Sequence, residues 1–227
     1  MTTTRFPNGV TNVGEDSMLA DIGQLDPTKY HTYWEDFDYF VSSDWTVVAS
    51  GTTPALIAAD GGVYAIDDPT GAGTTDAEVT KNFGSFTFEP GKRMWFKVRL
   101  KSLDPQAGKI KALLNFGAVQ EAIGFFSGVA SPADVVQFLM FTGQNPTAIV
   151  AVGILPTDEY ITLGWYYDGN QTISLFQDES LVASVSTATS APPSSASPMA
   201  PLMGHVPISP GDPAQTAFDY IFVAKER

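Results

Sequence analysis

Apolar and polar residues alternate along most of this chain with a period of two, and the clearest run lies between Tyr160 and Ser186. Ile161, Leu163, Trp165 and Tyr167 share one phase, Ile173 and Leu175 the next, and Leu181, Ala183 and Val185 a third. A strand points successive side chains to opposite faces. Each run therefore predicts a strand with one buried face and with Thr162, Thr172, Ser174 and Ser184 on the other. Asp168-Gly169-Asn170 and Gln177 to Ser180 supply two turns, because Gly, Asn and Asp tolerate positive φ. The segment predicts an antiparallel three-stranded meander.

Met94 to Ser102 repeats the pattern, with Met94, Phe96, Val98 and Leu100 pointing one way and Trp95, Lys97, Arg99 and Lys101 the other. Further strands are predicted at 34–40, 45–49, 56–59, 63–67, 77–82, 85–89, 110–116, 123–126, 135–141 and 148–152, at the spacing of a β-sandwich. The last two are apolar on both phases, which predicts central strands covered on both faces; a buried core and a subunit contact both produce this. One helical turn is predicted at 131–135, with Ser131 as cap and Pro132 at its first position. The proline-rich stretch from Ala188 to Pro213 predicts an exposed loop at 188–198, then an edge strand through Met199, Leu202, Met203, Val206 and Ile208, because an edge strand has N–H donors it need not use. The last strand, with Phe218, Tyr220 and Phe222 on one phase, ends the chain inside a sheet.

Residues 1–32 read as an extended arm and residues 33–227 as one domain. The arm's scattered apolar residues, Phe6, Val10, Met18, Leu19, Ile22 and Leu25, are too few for a core of their own. Such a segment lies over its own domain or reaches a neighbouring subunit.

A net charge of -13, with 12 Lys plus Arg against 25 Asp plus Glu, has the wrong sign for tracking phosphates or anionic lipid, so neither nucleic acid nor membrane is an expected partner. The absence of cysteine excludes disulfides and thiolate metal sites. The N-terminal stretch lacks the pattern of a signal peptide, and no run reaches the roughly 18 apolar residues of a membrane span. Synthesis and folding in a cytoplasm are expected.

Candidate chemistry is sparse. Laminarinase-like glycoside hydrolases built on a β-sandwich carry a Glu-x-Asp-x-x-Glu strand whose glutamates act as nucleophile and acid. No glutamate here begins such a strand; Glu35, Asp36 and Asp38 place only the two aspartates on one face. His31 and His205 are the only histidines, too few for a multi-histidine zinc site, and His31 reads as an isolated surface residue. The acidic, glycine-rich stretches at 60–62 and 67–76 match no EF-hand spacing and read as loops. No catalytic residue, cofactor or metal site is expected, and the chain is expected not to be an enzyme. Outward aromatics including Trp95, Tyr166 and Phe176, with Trp165 beside them, define an alternative: a platform that stacks on sugar rings in a lectin-like module.

The strands at 91–102, 160–186, 199–208 and 217–227 resemble those of a concanavalin A-like lectin/glucanase jelly roll, with an aromatic-rich strand running into a Tyr-Asp-Gly turn and an Asp-Tyr-Ile pattern in the final strand. "TRFPNGVTNVG" followed by "LDPTKYHTYWEDFDYF" resembles tailed-bacteriophage virion proteins, in which an N-terminal arm leads into a jelly roll. The resemblance implies an all-β jelly-roll sandwich with an extended arm, acting as a capsid decoration, or cement, protein on the virion surface. It implies the major capsid protein as partner and a homo-oligomer, with a trimer favoured. Arg5, Phe6, Pro7, Val10, Leu19 and Ile22 are the expected arm contacts, and Trp95, Trp165 and Tyr166 the stacking residues of the glycan-binding alternative.

Overall fold

The computed structural model describes residues 29–48, 53–57, 62–68, 77–117, 121–128, 134–143, 145–208 and 214–227. Fifteen strands are present among them: β1 (Tyr30–Glu35), β2 (Trp45–Val48), β3 (Thr53–Ile57), β4 (Val63–Asp68), β5 (Ala77–Lys81), β6 (Met94–Ser102), β7 (Gly108–Phe116), β8 (Glu121–Ser127), β9 (Val135–Thr142), β10 (Asn145–Ile154), β11 (Ile161–Tyr167), β12 (Thr172–Gln177), β13 (Ser180–Ser186), β14 (Ala200–Pro207) and β15 (Ala214–Glu226). They form two sheets. Sheet A has the order β13-β12-β11-β6-β15-β4-β3, and sheet B the order β10-β9-β8-β7-β14-β5-β2. The named strand pairs are antiparallel throughout.

The core lies between the sheets, as the period-two pattern requires. Met94, Phe96, Val98 and Leu100 of β6 enter it together with Ile161, Leu163, Trp165 and Tyr167 of β11. Phe96 stacks on Trp165 at 5.9 Å and meets Phe125 of the opposite sheet at 6.3 Å, so aromatic rings bridge the layers. The turns use the residues read for them: Gly169 has φ +81, and Asp178 and Glu179 have φ of 48 and 67, as a two-residue hairpin turn of the primed type needs.

Four expectations are corrected. Tyr30, His31 and Thr32, read as arm, belong to β1, which pairs with the end of β15. The segment at 199–208 is not an edge strand: β14 lies between β7 and β5. Its prolines are accommodated because Met199 directs its N–H to Phe86 O (2.7 Å), and by the two-residue alternation Pro201 and Pro207 face that same side, where β5 pairs only from Leu202 to His205. β10, read as central, is an edge with Ile149 and Ile154 exposed. Leu181, read as buried, is 64% exposed because a bulge at Val182 shifts the β12–β13 register.

Residues 85–89 form an isolated bridge, Phe86 to Met199, in place of a strand. The predicted helical turn falls mainly outside the described residues, and Val135 opens β9.

Candidate functional site

The register of sheet B arranges its outward side chains in rows. One row runs through Val48, Glu78, Gly204, Lys111, Phe126 and Gln137; the next through Thr46, Thr80, Leu202, Leu113, Gly124 and Leu139; a third through Ala200, Asn115, Ala122 and Phe141. The intervening Val79, Ala112, Phe125, Phe138 and Met203 point into the core, so these rows are the outer face. Two hollows, of about 580 Å³ and about 190 Å³, open on this face and share Glu78 and Asn115 in their walls.

At the centre, the Lys111 ammonium donates to Glu78 Oε1 at 2.6 Å. Its side chain passes Gly204, where an added Cβ would stand 3.2 Å from Lys111 Cβ and Cδ; the glycine leaves the channel in which the lysine lies. Lys111 is only 7% exposed, and the Glu78 carboxylate offsets part of the cost of burying its charge, with the ring of Phe126 lying 5.8 Å from the ammonium. Gly124 serves another purpose, since a Cβ there would meet Ala112 O at 2.4 Å. The strands approach closely because that position is bare.

Around this pair are amides and aromatics. Gln137 is buried beside Phe126 in the row, and its Oε1 has no hydrogen-bond partner among the described residues. The Asn115 amide donates to Gly117 O (2.8 Å), and its buried Oδ1 has no partner among the described residues. Both oxygens are buried and Gln137 lines neither hollow; the wall of the smaller hollow brings Phe126 and Phe141 beside Asn115 and Glu78, a mixed apolar and polar lining. Among the described residues lining the hollows Glu78 is the one carboxylate. Two-carboxylate glycoside hydrolysis needs a second.

The expected stacking residues are elsewhere. Trp165 is fully buried in the core between the sheets, and Trp95 is fully buried on the outer face of sheet A, under Tyr30, Tyr166 and Phe222. Neither presents a ring face to a ligand. Tyr166 stacks on Trp95 at 5.3 Å and belongs to the same cluster. The cations that follow Trp95 on its phase are engaged: Lys97 with Glu179, Arg99 with Asp219, and Lys101 with Asp158 at 2.7 Å.

The arm residues Arg5, Phe6, Pro7, Val10, Leu19 and Ile22 lie outside the described residues. His31 is no isolated surface residue; it packs on Phe86 at 4.6 Å, and burial, then Arg227 and Lys225, hold its pKa below the ordinary value. His205 is fully buried, its Nδ1 2.9 Å from Thr216 Oγ1. Among the described residues no three acidic or histidine side chains cluster in a manner that would hold a metal ion.

No protein-family model matches the sequence, and no curated protein matches it. Solved structures do match in fold. An endo-1,3-β-glucanase from Streptomyces sioyaensis superposes with a TM-score of 0.62 at 12% identity, covering 88% of this chain and 98% of that one. A protein of unknown function from Shewanella oneidensis MR-1 gives 0.61 at 12% identity, covering 88% and 87%. A Bacillus licheniformis β-glucanase gives 0.57 at 12%, covering 85% and 97%. The chain is thus an all-β jelly-roll sandwich of the concanavalin A-like kind. The expectation that it is not an enzyme is overturned by these neighbours, which include glycoside hydrolases and a transglycosylase: the architecture is one on which enzymes are built, and a missing Glu-x-Asp-x-x-Glu strand is no ground for excluding activity. At such low identity the likeness is one of fold.

Proposed function

We propose that this chain is a virion structural protein that decorates the capsid of a tailed bacteriophage, joining the shell through its arm and its sheet edges. One observation carries the reading beyond the resemblance of the N-terminal sequence. The strands at the four ends of the two sheet orders, β2, β3, β10 and β13, contain no charged residue, in a chain that is 16% charged; β1, which borders β15 beside β4, carries Glu35. Each of the four exposes aliphatic side chains, among them Val48, Ile57, Ile154 and Leu181. Free-standing proteins protect sheet edges with charge, because unpaired backbone donors and acceptors beside apolar side chains recruit other strands. Uncharged edges suit a subunit whose edges are covered in an assembly, where weak contacts are multiplied by symmetry.

Co-sedimentation with capsids lacking the protein tests this. Wild-type protein is expected to pellet with the shells, and deletion of residues 1–25 to abolish pelleting while the melting transition persists. Pelleting unchanged by the deletion removes the arm from the account.

A second reading is favoured by the hollows on the outer face of sheet B, where Glu78 and Asn115 stand near the rings of Phe126 and Phe141: a polysaccharide lies in that groove. The glucanase and transglycosylase names of the fold neighbours point to the same ligand class. Titration of β-glucans into wild type and Phe141→Ala, with reducing ends measured in the same samples, tests binding and turnover together. Neither binding nor release of reducing ends in any glucan sinks this reading.

A further inference from the structure

Three of the four tryptophans are buried; Trp34 is 51% exposed. It sits one residue from the end of β1, at a break in sheet A. β4 pairs with β15 from Ala214 to Phe218, and β1 pairs with it on the same side from Ile221 to Glu226, so Asp219 and Tyr220 have no strand partner on that side among the described residues. On the other side the register with β6 shifts between Phe218 and Tyr220, which makes Asp219 the extra residue of a bulge. Phe218 and Ile221 enter the core, whereas Tyr220 lies opposite the outward Arg99 and Asp219 pairs with the Arg99 guanidinium. The bulge thus turns two consecutive side chains to the outer face of sheet A.

Trp34 lays its indole against Tyr220, with ring centroids 5.2 Å apart and planes 15° apart, and Phe222 meets it at 5.5 Å and 60°. One face of the indole is covered by a ring, and the exposed half of the residue includes the other face. The hydroxyl end of Tyr220 lies among Thr162, Lys97 and Glu179. Lys97 holds Glu179, and Arg99 holds Asp219, so two carboxylates of fixed position flank the stack; the Glu179 side chain is 41% exposed.

We propose that the Trp34 indole, backed by Tyr220 and flanked by Glu179 and Asp219, is a stacking platform for one neutral pyranose ring of an oligosaccharide. A pyranose presents C–H groups on its face and hydroxyls around its rim. The electron-rich face of an indole attracts the first, and carboxylates accept hydrogen bonds from the second. Because Tyr220 fixes the indole and the cations fix the carboxylates, little ordering is needed when the sugar arrives. The two carboxylates, in a chain of net charge -13, select against uronates and other anionic sugars. The exposed apolar surface is a single ring set among charged side chains, which fits one sugar and is small for the core of a protein contact. The platform is on the opposite sheet from the groove, and it stands or falls separately from the two readings above.

Acrylamide quenching of tryptophan emission in the full-length protein reads this site, because Trp45, Trp95 and Trp165 are buried. The probes are short neutral oligomers of glucose, galactose and mannose, with polygalacturonate as the anionic comparison. At least one neutral oligomer is expected to protect Trp34 at millimolar concentration, and polygalacturonate is not. By calorimetry Trp34→Ala is expected to weaken that binding about tenfold or more, and Trp34→Phe, which keeps a flat ring, to weaken it less. Quenching of the wild type needs no variant, so the proposal stays testable if Trp34→Ala fails to fold. No protection by any neutral oligomer, or binding that survives Trp34→Ala, overturns the platform. An indole that acrylamide reaches only after residues 1–25 are deleted makes the arm its occupant, and loss of capsid pelleting in Trp34→Ala makes it a protein contact; both overturn the proposal. Binding lost in Phe141→Ala and kept in Trp34→Ala supports the groove and sinks the platform, and the opposite result does the reverse.

Discussion

Lys111→Met breaks the ion pair at the centre of sheet B's outer face. The Lys111 side chain is 8% exposed and that of Glu78 24%, so removing the cation leaves a carboxylate mostly withdrawn from water and without its 2.6 Å donor. Loss of one partner from a buried pair costs about 3 to 5 kcal/mol, and the partial exposure of Glu78 places this case at the low end, about 3 kcal/mol. In a domain of this size 1 kcal/mol moves Tm by roughly 2 to 4 °C, which gives about 6 to 12 °C here. Urea unfolding is the direct assay: the midpoint falls while the slope holds, because the surface exposed on unfolding is unchanged. Adding Glu78→Gln removes the stranded charge and is expected to recover stability to within about 1 kcal/mol of wild type. A single variant that loses less than about 1 kcal/mol, or a double variant no more stable than the single, refutes the claim that the Glu78 carboxylate depends on the Lys111 ammonium.

Trp165→Ala opens a cavity in the main core and is expected to lower unfolding free energy by about 3 to 5 kcal/mol, whereas Tyr166→Ala, on the outer cluster, costs less; equal losses in chemical denaturation contradict the assignment of Trp165 to the core. Gly124→Ala forces a Cβ to within 2.4 Å of Ala112 O, so the β7–β8 pairing must shift, and a melting temperature equal to wild type would show that it does not. Stability is also expected to fall in acid. The hydrogen bond from Lys225, then that from Thr87, hold the Glu89 carboxyl below its ordinary value; at Asp168 burial opposes, but the backbone N–H groups of Thr172, Asn170 and Gln171 prevail in the same direction. A carboxyl with a lowered folded pKa adds stability that is present above its unfolded value, near about 4, and is lost as pH falls through the folded value. Burial raises Glu35, which acts with the opposite sign. Tm is therefore expected to drop between about pH 5 and about pH 3, less steeply in Asp168→Asn; a flat profile argues against these carboxylates.

Where alternation decides the outcome, the chain is readable residue by residue. β6 spans the predicted bounds, and the phase that put Trp165 beside Leu163 placed it in the core, which already opposed its use as a stacking residue. Errors arose where the outcome depends on which strand lies alongside. The prolines of β14 suggested an edge because nothing local reveals that β5 stops short of them. β10 looked central because an edge strand with exposed aliphatic side chains and a covered strand carry the same pattern. The groove was half legible: alternation in Gly108–Phe116 places Lys111, Leu113 and Asn115 on one face, but Glu78, the ion-pair partner, lies 33 positions away and arrives only through the β5-β14-β7 register.

Co-sedimentation with capsids that lack the protein, carried out with wild type and with a variant bearing Leu181→Lys, Ile154→Lys and Val48→Lys, tests the central claim most directly. Wild type is expected in the pellet at a fixed ratio to the major capsid protein, with the charged-edge variant left in the supernatant although it melts cooperatively. A wild-type chain that stays in the supernatant contradicts the account, and a charged-edge variant that pellets as wild type does removes the sheet edges from it.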